Sequence, residues 1–257
     1  MGTVRKALGL LDILAHPDAR YGLTEMAQRS GFDKATTRRL LLELMADGFV
    51  EQDESSRAYL LGPALLMLGR AREERFPFFK IAQPSLRALA ETSGETAHVS
   101  EYAAGAMASI CTQESDQSNR IIVRVGERLP LHATASGLAY LSASPDAFVT
   151  ASLRKPLTAY SRHTVTDPAA LWAILHAARS CGYVTCNQLR AEGVFSIGAA
   201  IVNPKGAPIG AIAVALPSLR AVPASIAEIG KLTATAATEI STRLFGKPGG
   251  TQRIRKP

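Results

Sequence analysis

Apolar residues fall at positions 4, 7, 8, 11, 14 and 15, a spacing that gathers them on one face of a helix over 4–15. His16-Pro17-Asp18 then ends that helix with turn chemistry. In the next segment, LTEMAQR at 23–29, Thr24 is placed to cap a short helix, and Leu23, Met26 and Ala27 share one side. Gly31 supplies the stop. Asp33 is placed to cap a further helix that runs to about Asp47 and ends at Gly48. Its core stripe is read as Leu40, Leu41 and Leu44, with Thr36 one turn earlier on the same side. FVEQDESSRAYLLG follows, two short alternating runs around a polar tip, which is the pattern of a β-hairpin. Helix, helix–turn–helix, hairpin is the order of a winged helix-turn-helix domain.

Residues 63–75 read as a connecting helix that is apolar early and basic late, and Phe76-Pro77 marks a boundary. Beyond it helices and strands alternate. Helices are predicted over 81–92, 136–142, 168–181 and 223–245, with strands at 98–103, 106–112, 121–125, 195–202 and 209–216. The last two strands are joined by NPKG, a hairpin turn. Strands paired through hairpins with helices at both ends predict an α+β fold with an antiparallel sheet. The expected organisation is residues 1–62 for DNA binding, 63–76 as the connecting helix, 77–246 as a second domain and 247–257 as a basic flexible tail.

Charge changes this picture less than its total suggests. The chain of 257 residues carries a formal net charge of +7. Residues 1–75 hold 11 basic and 11 acidic side chains, so the whole excess lies in the later part, and Lys247, Arg253, Arg255 and Lys256 sit in the last eleven residues. Local placement must therefore carry any nucleic-acid reading. DKATTRRLLLEL at 33–44 supplies it: Lys34, Arg38 and Arg39 stand together with no acid until Glu43. The second helix of a helix-turn-helix presents its early residues to base edges, here Lys34, Ala35, Thr37 and Arg38, read as facing outward. Arg and Lys reach the O6/N7 edge of guanine, while Ala and Thr methyls suit the thymine methyl. Arg39 is assigned to a phosphate or to bracing the fold, Thr24 to the sugar–phosphate chain, and Arg57 in the hairpin to the minor groove.

The three cysteines, Cys111, Cys181 and Cys186, are odd in number and fit a reducing cytoplasm; Cys181 and Cys186 are expected to be buried or pocket-lining. No Cys/His cluster has zinc spacing, no cofactor motif is present, and no apolar run reaches the ~20 residues of a membrane helix. The N-terminal segment is not read as a signal peptide, since Asp12 interrupts its apolar part.

Residues 4–69 (VRKALGLLDIL, LTEMAQRSGFDKATTRRLLLELMADGFVEQ, YLLGPALLMLG) resemble the N-terminal domain of the IclR family of bacterial transcription regulators. LPLHATASG at 129–137 and EGVFSIGAAIVNPKGAPIGAIAVALP at 192–217 resemble the family's second domain. The resemblance implies a GAF-like effector domain, a homodimer or dimer of dimers on a pseudo-palindromic double-stranded DNA operator, and control of a catabolic operon. By position it implies an effector pocket of Ile121, Leu129, Ala135 and Ser136; Cys186, Asn187 and Ser196; and Ala213 and Ala215. A turn entering a helix at Ala135-Ser136-Gly137 would present N–H groups to an acid. Many relatives have an acidic run where this chain has Cys186-Asn187-Gln188-Leu189-Arg190, and some that bind small keto acids have serines at the positions of Ala213 and Ala215. A pocket with fewer polar groups points to a more apolar effector such as an aromatic acid.

Two other readings compete. The second domain could serve only oligomerisation, or a hydrolase could use Ser136 with His132. The latter lacks an orienting acid near in sequence and a G-x-S-x-G elbow, so His132 is read as a structural histidine bonding a backbone carbonyl, and no enzyme activity is expected. His98, His163 and His176 receive no functional reading, and Trp172 is expected to pack its helix.

Overall fold

The computed structural model describes every residue except Pro17, Lys155 and 247–257; the expected basic tail therefore lies outside the described residues. The chain divides into two compact units, one ending at Pro77 and the other beginning at Phe78.

The first unit holds α1 (Thr3–Leu14), α2 (Leu23–Ser30), α3 (Lys34–Ala46), the hairpin β1 (Val50–Gln52) and β2 (Tyr59–Leu61), and α4 (Ala64–Arg75). Leu10, Leu14, Met26, Leu40, Leu41, Val50 and Tyr59 form its core. In α1 the buried stripe is Leu10 and Leu14, flanked by Ala7 and Leu11, whereas Val4 and Leu8 point to solvent at 74% and 57% exposure. The predicted stripe thus mixed two faces, because an apolar-rich helix offers more than one 3.6-residue fit. α2 begins one residue before Thr24: Gly22 is its N-cap, and Thr24 stands in the first turn. Gly31, at φ 70°, closes α2 in the left-handed conformation that a glycine adopts without strain.

Asp33 caps α3 as expected, its carboxylate accepting from the Thr36 backbone N–H at 2.8 Å and from the Thr36 hydroxyl at 2.7 Å. The threonine assignment is reversed. Thr37 is fully buried and donates its hydroxyl to the Asp33 carbonyl at 2.9 Å, and Thr36 is the half-exposed one. Thr37 lies one turn before both Leu40 and Leu41, whereas Thr36 sits 100° further round the helix.

In the second unit, β3 (Thr96–Ala103), β4 (Ala106–Gln113), β5 (Arg128–Pro130), β6 (Val184–Asn187), β7 (Val194–Val202) and β8 (Pro208–Pro217) form one antiparallel sheet in the order β5-β4-β3-β8-β7-β6. Its helices are α5 (Phe78–Ser93), α6 (Ala135–Ala143), α7 (Asp146–Leu153), α8 (Pro168–Cys181) and α9 (Pro223–Phe245). α5 and α9 pack on each other and on the sheet, while α6 packs on β7, β8 and α8. Along β7 the side chains alternate, so Ser196 and Gly198 share the face toward α6 and Ile197, Ala199 and Ile201 share the other. Trp172, on α8, packs partly buried against the core, as expected. The NPKG segment is a turn in which Asn203 and Ala207 close the β7–β8 hairpin.

The strand expected over 121–125 is absent. The hydrogen bonds along that part of β4 go instead to residues after the Gly126 turn: Ser109 N–H donates to the Glu127 carbonyl, and β5 pairs with residues 106–108. Residues 121–125 are left as a loop with Val123 buried and Ile122 exposed. The pattern reading also omitted α7 and the short strands β5 and β6.

Candidate functional site

The start of α3 is the more exposed of two functional surfaces. Lys34, Ala35, Arg38 and Arg39 all face solvent, and Thr24 of α2 is exposed as well. Arg39 forms an exposed ion pair with Glu43 one turn later at 2.8 Å. Arg57 sits exposed in the β1–β2 turn at φ 60°, and its carbonyl accepts from the Gln52 side chain at 2.8 Å. Of the predicted DNA-facing residues only Thr37 is withdrawn into the core. Lys34 and Arg38 remain as exposed cationic side chains of the first turns. Asp33, the exposed cap before them, has its carboxyl held below the usual range, mainly by the Thr36 backbone N–H.

The second surface is a partly open cavity of about 150 Å³ at the N-terminus of α6. Two close approaches seat that helix end. A Cβ on Gly198 would stand 2.6 Å from the Ala135 carbonyl oxygen, and one on Gly137 would stand 2.4 Å from the Leu131 Cα. Only glycine allows β7 and the 129–134 segment to come so near. Thr134 caps the helix: its Oγ1 accepts from the Gly137 N–H at 3.1 Å and donates to the Pro130 carbonyl at 2.8 Å. The N–H groups of Ala135 and Ser136, in the first turn, have no intrahelical acceptor.

Seven of the nine expected pocket residues line this cavity: Ile121, Leu129, Ala135, Ser136, Cys186, Ser196 and Ala215. Asn187 and Ala213 do not. Asn187 follows Cys186 on β6 and so projects to the opposite face, where it is exposed. Ala213 is fully buried in the core beneath α6. The pattern reading omitted His98, Glu127, Leu189 and Arg190, which also line the cavity.

His98 reaches the site from β3 across the sheet, and its Nε2 lies 3.0 Å from the Ser136 Oγ. Burial pulls its pKa down to about 4, so the imidazole is neutral at pH 7. Its Nδ1 is buried and unpartnered. No local sequence signal joins His98 to Ser136, because 38 residues separate them. Burial likewise pushes the Cys186 thiol up to about 12, which keeps it protonated. Cys181, by contrast, is exposed and lines nothing here, contrary to expectation.

Arg190 is held by a braced loop. Gln188, at φ 59°, bonds through its N–H to the Val194 carbonyl, and the Ser161 and Thr164 hydroxyls donate to the Gln188 and Leu189 carbonyls at 2.6 and 2.7 Å. The Arg190 guanidinium stands 3.5 Å from Glu127. The result is a mostly apolar chamber with helix N–H donors, one imidazole–hydroxyl pair and an arginine at its rim.

That geometry does not suit a hydrolase. His132 bonds the Thr158 carbonyl at 2.9 Å, and it is His98 that meets Ser136. The His98 Nδ1 has no carboxylate to orient it, so the third role of a triad is unfilled. Among the described residues no group of His, Cys, Asp or Glu could hold a metal ion, and no helix is long and apolar enough to cross a membrane.

Comparison with known proteins identifies both parts of the chain. Residues 3–54 match the IclR helix-turn-helix domain, and residues 73–242 match the bacterial transcriptional regulator IclR C-terminal domain. The HTH-type transcriptional regulator BhcR of Paracoccus denitrificans is 32% identical over 92% of this chain and 85% of its own. A crystal structure of an IclR transcriptional regulator from Silicibacter sp. TM1040 superposes with a TM-score of 0.85 at 38% identity, covering 96% of this chain and 97% of that one. An IclR homolog from Microbacterium hydrocarbonoxydans, solved in complex with 4-hydroxybenzoate, shares the fold with a TM-score of 0.81 at 22% identity over 95% of this chain and 99% of its own. The chain belongs to the IclR family of DNA-binding transcription regulators.

Proposed function

We propose that this regulator is ligand-responsive, and that the cavity at the start of α6 receives a small, fairly apolar organic acid, such as a single-ring aromatic carboxylate. The observation that carries this reading is the wall of the cavity. The Ala135 and Ser136 N–H groups lack intrahelical acceptors, and Ile121, Leu129, Leu189 and Ala215 surround them with apolar surface. A carboxylate seats on the helix start, and a ring fills the rest. An apolar cavity of about 150 Å³ holds one benzene in another protein, which is the matching size. The 4-hydroxybenzoate in the Microbacterium homolog is an acid of this kind. Isothermal titration of the full chain with benzoate and with pyruvate tests the reading. Tighter benzoate binding is expected; preference for pyruvate overturns it.

Lys34, Ala35 and Arg38 are the residues that read the major groove, with Thr24, Arg39 and Arg57 on the phosphate chain or in the minor groove. The operator is a pseudo-palindrome in this reading, bound by two copies, because one reading helix covers only a few base pairs. Residues 1–62 form the DNA-binding domain, 63–76 the connecting helix and 77–246 the effector domain. No residue of α4 is buried within the chain, and Leu66, Met67 and Leu68 are 58–70% exposed, which suits a second copy packing there. Replacing Leu65 and Leu68 by glutamate should shift the protein toward monomer in analytical ultracentrifugation. An unchanged mass removes α4 from the interface. Control of a catabolic operon follows from an organic-acid effector and is tested by which neighbouring promoter the protein binds.

A further inference from the structure

A second and larger hollow lies on the other side of the 129–134 segment. It is a cleft of about 580 Å³, within the size range of ordinary ligand sites, whereas the inner cavity is below it. Leu129, Ala133 and Thr134 face the inner cavity, and Pro130, Leu131 and His132 face the cleft, so one stretch of chain is the wall between them. Arg190 lines both.

The chemistry of the cleft is aromatic and cationic. Tyr102 stacks on Tyr140 with ring centroids 4.9 Å apart, and Phe148 meets Tyr102 edge-on at 5.6 Å. Tyr102 and Phe148 thereby present a braced aromatic wall to the opening. Tyr160 is 41% exposed on another side, with the Arg190 guanidinium 4.8 Å from its ring centroid. Arg128, on the edge strand β5, donates one N–H to the Ala104 carbonyl at 3.1 Å and is otherwise exposed at the lip. Two guanidiniums thus border the cleft, and none of its described lining residues is a carboxylate. Such a surface selects a planar aromatic anion: rings on the tyrosine and phenylalanine faces, and an acidic group between the guanidiniums.

We infer that this cleft is a second ligand site, for an aromatic anion too large for the inner cavity, and that its occupation weakens binding inside. The link is Arg190. Its pairing with Glu127 at 3.5 Å is long, and both side chains are about one third exposed. An anion in the cleft draws the guanidinium outward and leaves the Glu127 carboxylate facing the inner cavity without its cation. That charge opposes an acid seated at α6, and by linkage an inner acid opposes the outer one equally. The existence of the site stands on the cleft alone; the antagonism also rests on the effector reading.

The test is isothermal titration of the full chain with 2-naphthoate, a two-ring carboxylate. Saturable binding is expected, weakened about tenfold or more by Arg128→Glu, which reverses an exposed charge, and by Ala151→Trp, which fills the cleft from the surface of α7. Ser196→Leu, which fills the inner cavity, should leave it unchanged. Absence of binding to the wild type overturns the site, as does binding that survives both cleft variants or disappears with Ser196→Leu. Saturating 2-naphthoate should then lower benzoate affinity in the wild type and leave it unaltered in Ala151→Trp. An unchanged or raised benzoate affinity in the wild type overturns the antagonism. If benzoate fails to bind even without 2-naphthoate, the effector reading falls, and the antagonism falls with it. The 2-naphthoate titration judges the outer site by itself.

Discussion

Both candidate surfaces are built on the first turn of a capped helix, yet they place that turn in opposite surroundings. At α3 the cap is Asp33, an exposed carboxylate, and Lys34, Arg38 and Arg39 after it are exposed cations. At α6 the cap is Thr134, a neutral hydroxyl, and Ala135, Ser136 and Gly137 are all buried. In the proposed reading the same local geometry serves two kinds of recognition. In water, a helix end has little reach, since salt screens it within the first turn, so long side chains must do the work. In a dry cavity the backbone N–H groups act at full strength, and small side chains are needed so that a ligand can approach them. An acidic cap suits the first case because the cations nearby offset it. It would be unfavourable in the second, where an anion is the expected guest.

The comparison can be broken most severely from beneath. Leu41, on the inner face of α3, is fully buried, and Leu41→Ala should lower stability by about 2–5 kcal/mol. Urea unfolding of the full chain should show that loss together with weakened operator binding, even though Leu41 touches no base in the proposed complex. A variant that keeps wild-type stability would show that the helix is not held by this core.

The buried surface has its own signature in pH. His98 titrates near 4 when folded and near 6.5 when unfolded, so between those values the unfolded chain binds the extra proton. Stability from this group is complete above pH 6.5 and is lost as pH falls toward 4, by up to about 3 kcal/mol. His98→Gln should flatten that part of the profile in urea midpoints measured across pH 4–7. No pH-dependent difference between the two proteins would show that His98 is not buried as a neutral ring. At the exposed start of α3 the shifted group is instead a carboxylate, Asp33, held low chiefly by the Thr36 N–H.

The gentlest test separates side chains within α3. Arg38→Ala should cost about 1–3 kcal/mol and relax preference at one base position in each half-site. Lys34, nearer the helix start, is expected to tolerate replacement better at high salt than at low salt if its contact is to phosphate. Fluorescence anisotropy with operator variants distinguishes these outcomes. Equal loss on every sequence would reassign Arg38 to the backbone.

Some helix ends were legible because their signals are local: Asp33 caps α3 and Gly31 closes α2. Orientation around a helix was less legible: Thr36 and Thr37 differ by one position, and both sit plausibly before a leucine run. Burial chose Thr37, whose methyl packs inward while its hydroxyl is satisfied by the Asp33 carbonyl. The loop at 121–125 shows a harder failure. Its apolar alternation is that of a strand, but β4 offers a single edge there, and residues after Gly126 occupy it.

The sequence by itself determined the family, the order of the longer elements, the cap of α3, and seven of the side chains around the inner cavity, because each of these depends on residues close together in the chain or on motifs quoted whole. Only the tertiary structure decided that His98 faces Ser136, that Asn187 turns away, and that Arg190 stands between two hollows. Those relations come from strand pairing and loop closure, which bring together residues whose separation along the chain carries no record of their distance in space.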